Sequence, residues 1–500
     1  MSASALGATL VYETPTRNRL LPMTSHDLDP DDWNDFRSTA NDALGAMIDF
    51  IETIRERPVW RQAPAPVIEQ FRQPLPRASQ NPREVLADFE ATIMPYSTGN
   101  LHPLFLGWVH GAGTPVGMMA EMLAAGLNAN CGGRNHIAIA VEQQIVRWAA
   151  EMLGFPDDSS GVFVTGTSAA NLLAVVIARN FAIGEKVRQE GLHQAGLQLV
   201  AYASAETHGS IRQAIEVAGI GSQFLRMIPV DARGAIRVDL LTKQIAADRA
   251  GGLRPFLVVG TAGSVNAGAI DDLSALADLC LAEDLWFHVD GAFGALCTLS
   301  PRLKPLVAGI ERAASVAFDF HKWAHVPYDA GFLLVRDAEA HRRTFYNPTT
   351  YLHRMPSGLG AGEVWPCDLG VDLSRSFRAL KTWFTFRVFG AEKIAECIER
   401  TCDLAKHLEK RLHQTTAFTL CAPVTLNIVC FALAQPDADD LTKQIVIDLQ
   451  ERGVAAPSST ILGGRTVIRA AIVNHRTTEA DIDEFVEALV ESARRVVVAR

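Results

Sequence analysis

One lysine of this 500-residue chain follows a predicted buried strand, a position in which its amine could form a covalent bond with a ligand. Lys322 follows a short apolar run, Ser315 to Phe318, and is flanked by His321 and Trp323. Removing a lysine at the end of a buried strand from water favours its neutral amine, which can attack a carbonyl group. From these residues alone, the alternative is a lysine that reaches from the strand end into solvent.

An aspartate upstream ends a second buried-strand pattern, Trp286–Asp290, and small residues follow it. A carboxylate at the end of a strand in an α/β sheet faces the crevice where ligands bind. There it could keep a ring nitrogen protonated, so that the ring accepts electrons. Ala292 would leave room for a flat ring, and the 32 positions from Asp290 to Lys322 (322 − 290) allow one helix and a return strand.

A third segment, Val162 to Leu172, reads as strand, glycine turn, hydroxyl pair and helix. The backbone N–H groups at a helix start, together with the hydroxyls of Thr167 and Ser168, form a cradle suited to a phosphate. Taken alone, a Gly-Thr-Ser sequence is more often an ordinary helix cap. A cradle, an aspartate and a lysine in this order are far more specific than any one of them.

With these three segments the sequence resembles the group II PLP-dependent amino-acid decarboxylases, where PLP is pyridoxal 5'-phosphate. The resemblance extends from about His102 into the C-terminal region and rests on the Gly-Thr-Ser-Ala-Ala-Asn turn, the His-Val-Asp strand and the His-Lys-Trp motif. It implies PLP attached to Lys322, with Asp290 on its ring nitrogen. It also implies a fold-type I, aspartate aminotransferase-like α/β architecture.

Further cofactor contacts are implied by the same resemblance. His208, in Glu-Thr-His-Gly-Ser, matches the histidine that stacks on the cofactor ring, although a lone histidine before a helix is more often a cap. Thr261 matches a hydroxyl near the cofactor, and His321 matches a neighbour of the phosphate. Asp319 fits a family position that is often Asn or Asp, but an anion beside a phosphate would need compensating charge.

The substrate side is less determined by the sequence. The stretch around His102, Phe105 and Trp108 resembles the family's segment that lines the substrate pocket, although the aromatics could equally be core residues. They favour tyrosine, tryptophan or dopa as substrate. Arg134, in a polar loop, could bind an acidic substrate through a bidentate bond and keeps that alternative open.

A family loop tyrosine protonates the substrate carbon after CO2 leaves, and this chain departs from that pattern. The segment from Glu363 to Asp368 has no tyrosine, and Tyr351 is the nearest candidate. Relatives with this tyrosine replaced can convert amino acids to aldehydes by oxidative deamination. The leading hypothesis is therefore an L-amino-acid decarboxylase. The second is a PLP-dependent aldehyde synthase that uses O2, and the least favoured is a PLP-binding protein without turnover. Arg469, near the C-terminus, is predicted to be structural.

Composition limits the partners of the chain. With 48% hydrophobic and 20% charged residues the sequence is globular, and a net charge of −10 argues against nucleic acid or an anionic membrane as partner. Eight scattered cysteines without a Cys-x-x-Cys pattern suggest neither a metal site nor a disulfide framework. No apolar run of signal-peptide or membrane-spanning type is present. We expect a cytoplasmic protein that binds a small-molecule amino acid.

The residue pattern together with the family resemblance implies three regions: an N-terminal helical and extended dimerisation segment (1–100), a large PLP-binding domain (101–390) and a smaller C-terminal α+β domain (391–500). Short apolar runs alternating with helices predict a large, mostly parallel sheet. Its expected strands are Gly161–Thr165, Gln198–Ala201, Gln223–Ile228, Phe256–Gly260, Trp286–Asp290, Ser315–Phe318 and Gly331–Val335. Residues 1 to about 25 look poorly ordered. In the family, such an N-terminal segment wraps a partner subunit, which implies a homodimer.

Overall fold

The computed structural model describes residues 27–498 except 195, 197, 349, 436 and 437. The prediction for residues 1–25 lies outside the described residues. Within this range the α-helices are α1 Trp33–Glu52, α2 Ala65–Gln70, α3 Pro82–Thr92, α4 Pro115–Leu127, α5 Ile137–Leu153, α6 Thr167–Ile183, α7 Val187–Gln194, α8 Gly209–Val217, α9 Val238–Ala250, α10 Leu273–Glu283, α11 Ala338–Phe345, α12 Arg378–His413, α13 Asp439–Glu451 and α14 Glu479–Val498.

The strands fall into two sheets. They are β1 Phe105–Leu106, β2 Ser160–Val164, β3 Leu199–Ser204, β4 Leu225–Ile228, β5 Arg254–Thr261, β6 Trp286–Asp290, β7 Ser315–Asp319, β8 Gly331–Val335, β9 Phe418–Leu420, β10 Ile428–Leu433, β11 Ala456–Leu462 and β12 Arg465–Ala471. The larger sheet has the order β2-β8-β7-β6-β5-β3-β4, and the smaller one has the order β1-β11-β12-β10-β9.

The larger sheet is mostly parallel, as the short apolar runs predicted. All residues of β2, β3, β6, β7 and β8 are buried, which explains why these strands lack the alternation of a half-exposed sheet. Only β8 runs antiparallel to both of its neighbours. The connection from β7 to β8, residues 320–330, is only eleven residues long. It is therefore too short for the crossover that a parallel pair requires.

The smaller sheet collects the C-terminal strands, and it also takes β1 from the region before the large sheet. Phe105 pairs with Ala456 in parallel, whereas the other pairs of this sheet are antiparallel. Helix α12 joins the two parts of the chain as one long element, interrupted at Gly390, whose φ of 73° is left-handed. This interruption lies at the predicted boundary between residues 390 and 391, and the three-domain division stays a prediction.

Several element bounds were predicted from the sequence alone. The structure confirms Trp286–Asp290 and Gly331–Val335 as the sequence predicted them. Helix α1 begins at Trp33, because Asp32 caps it by accepting hydrogen bonds from the N–H groups of residues 34 and 35. The proline-rich segment 58–82 contains the short helix α2.

The carboxyl ends of three adjacent strands position the chemistry. Thr261 at the end of β5 lies beside Asp290 at the end of β6, and Asp290 lies beside Ala317 of β7. Parallel strands place their carboxyl ends at the same edge, so residues far apart in sequence meet there.

None of the helices in the described ranges is long and apolar enough to span a bilayer by itself. One bent pair of helices, Thr167–Ile183 with Val187–His193, meets the criteria for a membrane span only by its length and composition.

Candidate active site

A cavity of about 320 Å³ lies at the carboxyl ends of β5, β6 and β7. All the residues predicted to contact the cofactor line it: Thr167, Ser168, His208, Thr261, Asp290, Ala292, His321 and Lys322. They come from five separate segments of the chain, so their convergence is a property of the fold. The roles assigned to them remain predictions.

Asp290 is the buried acid of this cavity. Its Oδ2 accepts a hydrogen bond from Asn171 Nδ2 at 3.0 Å, and its Oδ1 accepts one from the backbone N–H of Ala292 at 3.2 Å. Burial raises the pKa of the Asp290 carboxyl, and the nearby Lys322 together with the Asn171 hydrogen bond oppose that rise. These groups leave a carboxylate that can still accept a hydrogen bond from a ligand in the cavity.

The turn before α6 is the segment that the sequence predicted to be an anion cradle. The hydroxyl of Thr167 is buried without a hydrogen-bond partner among the described residues, and the same holds for the Thr261 hydroxyl. Orphaned buried hydroxyls are costly unless a ligand satisfies them. The turn packs tightly on β8, because a Cβ on Gly331 would lie 2.3 Å from Cα of Gly166. The glycines therefore let the cradle sit directly against the sheet.

Lys322 and Asp319 form an ion pair at the mouth of the cradle. Lys322 Nζ lies 2.9 Å from Asp319 Oδ2, and His321 Nε2 lies 3.6 Å from the same oxygen. The backbone N–H of Thr167 donates to Asp319 Oδ1 at 2.8 Å. An anion beside a bound phosphate needs compensating positive charge or hydrogen-bond donors. Around the Asp319 carboxylate, the described residues provide the Lys322 side chain, the His321 ring and the Thr167 N–H group.

His321 is held as a neutral ring. Its Nδ1 accepts a hydrogen bond from the N–H of Ala330 at 3.0 Å, and burial lowers its pKa to about 4. His208 behaves as the cap that its position before a helix predicted, because its Nδ1 accepts a hydrogen bond from the N–H of Ser210 at 3.1 Å. It lines the cavity at the same time. Both interpretations of His208 therefore fit the geometry.

Of the predicted substrate residues, only Trp108 lines the cavity. Phe105 is buried behind it, with ring centroids 6.0 Å apart, and His102 is buried elsewhere, where its Nδ1 accepts a hydrogen bond from the N–H of Leu104. Arg134 stacks over Trp365 at 4.6 Å and lines a different cleft. Tyr351 is 71% exposed in a third cleft. His102, Phe105, Arg134 and Tyr351 therefore do not line the cavity that contains Lys322. Their substrate contacts remain predictions.

Three residues that the sequence did not single out as functional line the cavity: His110, Tyr328 and Arg469. His110 stacks on Phe105 at 5.8 Å, and burial together with Lys322 lowers its pKa. Tyr328 packs against His321 with ring centroids 4.3 Å apart. His110 closely follows Phe105 and Trp108 in the sequence, and Tyr328 closely follows Lys322. Their nearness to predicted site residues could have marked them as candidates for the site.

Arg469, which the sequence predicted to be structural, also lines the cavity. It is 3% exposed, and its Nε donates to the carbonyl of Val265 at 2.8 Å while its Nη1 donates to that of Gly107 at 2.7 Å. Its Nη2 is buried without a partner among the described residues. Burial lowers its pKa to about 10, so it remains a cation at neutral pH. No local sequence signal connects it with Lys322, because it arrives from the smaller sheet.

Known proteins place this geometry in a family. Residues 64–434 match the pyridoxal-dependent decarboxylase conserved domain. The chain is 32% identical over 479 residues to an aromatic-L-amino-acid decarboxylase of Bacillus atrophaeus, covering 93% of this chain and 97% of that protein. It is 26% identical over 481 residues to a phenylacetaldehyde synthase of Arabidopsis thaliana, covering 93% and 97%. The Oryza sativa TDC structure with PLP and tryptamine superposes with a TM-score of 0.86 at 25% identity, covering 94% of this chain and 99% of that one.

The cavity fits the cofactor of that family. The cradle of α6 and the orphaned Thr167 hydroxyl suit its phosphate, Asp290 suits its ring nitrogen, and Lys322 supplies an amine for its aldehyde. The fold-type I architecture, the PLP cofactor and a carboxy-lyase activity are thereby confirmed, and the hypothesis of a PLP-binding protein without turnover is not favoured. The chain belongs to the pyridoxal-dependent decarboxylase family and is a PLP-dependent amino-acid decarboxylase.

Proposed function

We propose that this enzyme decarboxylates an aromatic L-amino acid to the corresponding amine and CO2. The observation that carries the proposal is the make-up of the cavity wall. Trp108, His110 and Tyr328 present aromatic rings, whereas Arg469 is the only arginine among the described residues that line the cavity. A substrate with an apolar aromatic side chain leaves that guanidinium free for its α-carboxylate.

The chain's residues take the following roles in this proposal. Bound PLP supplies the electron sink for the breaking bond between the α-carbon and the carboxylate. The Lys322 amine would hold the aldehyde group of the cofactor. Asp290 would accept a hydrogen bond from the ring nitrogen, Thr167 and Ser168 would hold the phosphate, and His208 would cover one ring face. The side chain of Lys322 is 22% exposed, so its amine can be reached from the cavity.

Arg469 orients the substrate carboxylate. Two of its nitrogens are fixed by carbonyl oxygens, and the third is the partnerless Nη2. A guanidinium with a free N–H in a dry site binds a carboxylate strongly, because the interaction is screened little there. Fixing the carboxylate selects which bond of the α-carbon breaks, and departure of neutral CO2 then leaves Arg469 ready for the next substrate.

Tyr328 returns the proton that completes the amine. Among the tyrosines of the described residues it is the one that lines the cavity, and Tyr351 does not. Partial burial and the Asp319 carboxylate raise the pKa of Tyr328, so its hydroxyl keeps its proton until the α-carbon takes it. This assignment supports amine formation although the segment from Glu363 to Asp368 has no tyrosine.

Two other outcomes follow from specific observations. An acidic substrate would need a second cation, and Arg134 does not line the cavity in this chain. Oxidative conversion to an aldehyde is the stronger alternative, since Tyr351 is distant and a phenylacetaldehyde synthase is among the relatives. That reaction consumes O2 and water and releases CO2, ammonia and H2O2 with the aldehyde. Its products therefore distinguish it from simple decarboxylation.

The deciding experiment is an amino-acid panel with PLP-loaded protein, following CO2, amine, ammonia and peroxide together. CO2 with amine from an aromatic substrate supports the proposal, whereas peroxide and ammonia support the aldehyde synthase. Borohydride reduction followed by mass spectrometry reports covalent PLP without turnover. The Lys322→Ala variant should lose this label and, because it lacks the covalent group, lose activity by roughly a thousandfold or more. A labelled Lys322→Ala variant would contradict the role of Lys322.

We also propose that the enzyme works as a homodimer. The twenty-residue α1 buries only Thr39 and Phe50 in the single chain, while Trp33 is 50% exposed and Phe36 is 43% exposed. A helix with this many uncovered apolar side chains needs a partner surface. Sedimentation of the full chain should give twice the monomer mass, and a Trp33→Asp, Phe36→Asp variant should shift towards the monomer. A monomeric parent protein would contradict the proposal.

A cytoplasmic location remains part of the proposal. The eight cysteines are all free thiols in the structure, and five of them are buried. A chain with many thiols and no disulfide is typical of a reducing compartment. Fractionation of cells that express the full chain would test the location.

A further inference from the structure

Asn171 on α6 joins two of the groups that face the cofactor position. Its Nδ2 donates to Asp290 Oδ2 at 3.0 Å and to Ser210 Oγ at 3.0 Å. Ser210 in turn contacts His208, with its Oγ 2.8 Å from the Nδ1 of that ring. Asn171 is fully buried, so the two bonds that it donates form away from competing water. Neither PLP attachment nor phosphate binding uses this side chain.

Behind Asn171 a buried chain of hydrogen bonds extends across the sheet. Asn171 Oδ1 lies 2.9 Å from His288 Nε2, and His288 Nδ1 lies 2.8 Å from Ser315 Oγ. The indole N–H of Trp286 donates to the same Ser315 oxygen at 2.9 Å. His288 and Ser315 are fully buried, and burial lowers the pKa of His288 to about 3.

The two ends of the chain fix the direction of every bond. The Trp286 indole can only donate, and an ionised Asp290 can only accept. Ser315 therefore donates its own proton to Nδ1 of the neutral His288, and His288 donates from Nε2 to Asn171 Oδ1. This leaves the Asn171 amide to donate to Asp290. Each proton points towards the Asp290 carboxylate, and such an aligned chain favours its charged form.

The same amide fixes the histidine on the cavity wall. The second N–H of Asn171 donates to the Ser210 oxygen, so the Ser210 hydroxyl proton is free for His208 Nδ1. The backbone N–H of Ser210 also donates to that nitrogen at 3.1 Å. A nitrogen that accepts two hydrogen bonds carries no proton, so the neutral His208 ring carries its proton on Nε2.

We propose that Asn171 is a positioning residue that holds Asp290 ionised for the cofactor ring nitrogen and sets the tautomer of His208. The inference rests on the proposed roles of Asp290 and His208 and adds the group that controls both. Lys322 and His208 are the charged or titratable side chains that face Asp290 from the cavity, and His288 lies behind it as a neutral donor. Asn171 contacts groups on both sides: Asp290 and Ser210 towards the cavity, and His288 behind it.

The first test measures PLP affinity rather than turnover. PLP is titrated into the apoprotein and its dissociation constant is read from tryptophan fluorescence, with covalent attachment checked by borohydride and mass spectrometry. Asn171→Leu removes both donors at nearly constant volume, and it should weaken PLP by roughly tenfold or more, the effect of one charge-assisted hydrogen bond. The control is Asn180→Leu, which removes another buried amide near the far end of α6. It should leave the dissociation constant within about twofold.

A second, nearly isosteric variant gives a signature that a packing role would not produce. In Asn171→Asp, a protonated side chain at position 171 can still donate to Asp290 at about pH 5.5, whereas at about pH 8.5 the pair holds two like charges. Relative to the wild type, the PLP dissociation constant should therefore rise with pH, by roughly tenfold across this range. Asn180→Asp should show no such trend.

The outcomes separate the two proposals. Wild-type protein that takes up no covalent PLP would overturn the proposed roles of Lys322 and Asp290, and this inference with them. Wild-type protein that binds PLP while both Asn171 variants bind it equally well, with no difference in pH dependence, would overturn the role of Asn171 alone. If Asn171→Leu does not fold, the pH-dependent ratio of Asn171→Asp still decides the question.

Discussion

The Oδ2 of Asp319, the last residue of β7, lies 2.9 Å from the Nζ of Lys322. Lys322 belongs to the short connection that joins β7 to β8. The other oxygen of the same carboxylate accepts the hydrogen bond of the Thr167 N–H at the start of α6. Asp319 thus contacts both Lys322, the proposed cofactor lysine, and the start of α6, the proposed phosphate cradle. A carboxylate in this position attracts the Lys322 side chain and would oppose an incoming phosphate.

Asp319→Asn should therefore strengthen PLP binding. The amide still accepts the Thr167 hydrogen bond but carries no charge, so both covalent attachment and affinity should improve, by roughly fivefold. Pyridoxal, which lacks the phosphate, is the matched ligand and should gain less. The measurement is the ratio of the two dissociation constants in each protein. An unchanged ratio in Asp319→Asn would show that the carboxylate does not act on the phosphate.

Arg469→Met should separate carboxylate recognition from the rest of substrate binding. Loss of one charge-assisted bond in a buried site should raise KM for the aromatic amino acid by roughly 10- to 100-fold. The product amine has no carboxylate, so its inhibition constant should stay nearly the same, and it serves as the internal control. Equal weakening of amino acid and amine would mean that Arg469 holds the cavity together rather than binding the carboxylate.

Tyr328→Phe should change the product as well as the rate. Without the hydroxyl, protonation of the α-carbon loses its general acid, and amine formation should fall by roughly 100-fold or more. Any remaining turnover should release more peroxide and ammonia per CO2. Tyr351→Phe is the matched control and should behave as the parent protein, because Tyr351 lies in another cleft. Reversed results for the two variants would return the role to the residue that the sequence suggested.

A buried histidine away from the cavity should make the fold sensitive to acid. His341 lies between the Ser160 hydroxyl and the Leu369 carbonyl, and burial lowers its pKa to about 4. Between the ordinary value of about 6.5 and this value, the unfolded chain binds a proton that the folded chain does not, so stability falls as pH falls.

The size of this effect can be measured on the apoprotein. By about pH 5 the loss of unfolding free energy from His341 should reach roughly 2 kcal/mol relative to neutral pH. The His341→Gln variant keeps a donor and an acceptor but does not titrate, so its stability should fall less between neutral and acid conditions. Parallel pH profiles of the two proteins, from denaturant unfolding, would contradict this linkage.

The sequence by itself determined the strand ends and their chemistry. Trp286–Asp290 and the Lys322 segment are local patterns whose apolar runs and terminal polar residues are readable without neighbours. Because parallel strands present their carboxyl ends at one edge, the meeting of Asp290 and Lys322 could be predicted from the strand pattern and spacing, whereas Thr261 was predicted from the family resemblance. The apolar composition of these runs also predicted the parallel sheet, since strands buried on both faces have no alternation.

Only the tertiary structure decided which other side chains reach that edge. Arg469 comes to the cavity from the smaller sheet, and Asn171 reaches Asp290 from α6, through contacts between segments with no common sequence pattern. Arg134 and Tyr351 matched the expected chemistry but lie in other clefts of the chain. The physical reason is that local patterns determine strands and helices, whereas the direction of a loop side chain depends on packing between distant parts of the chain.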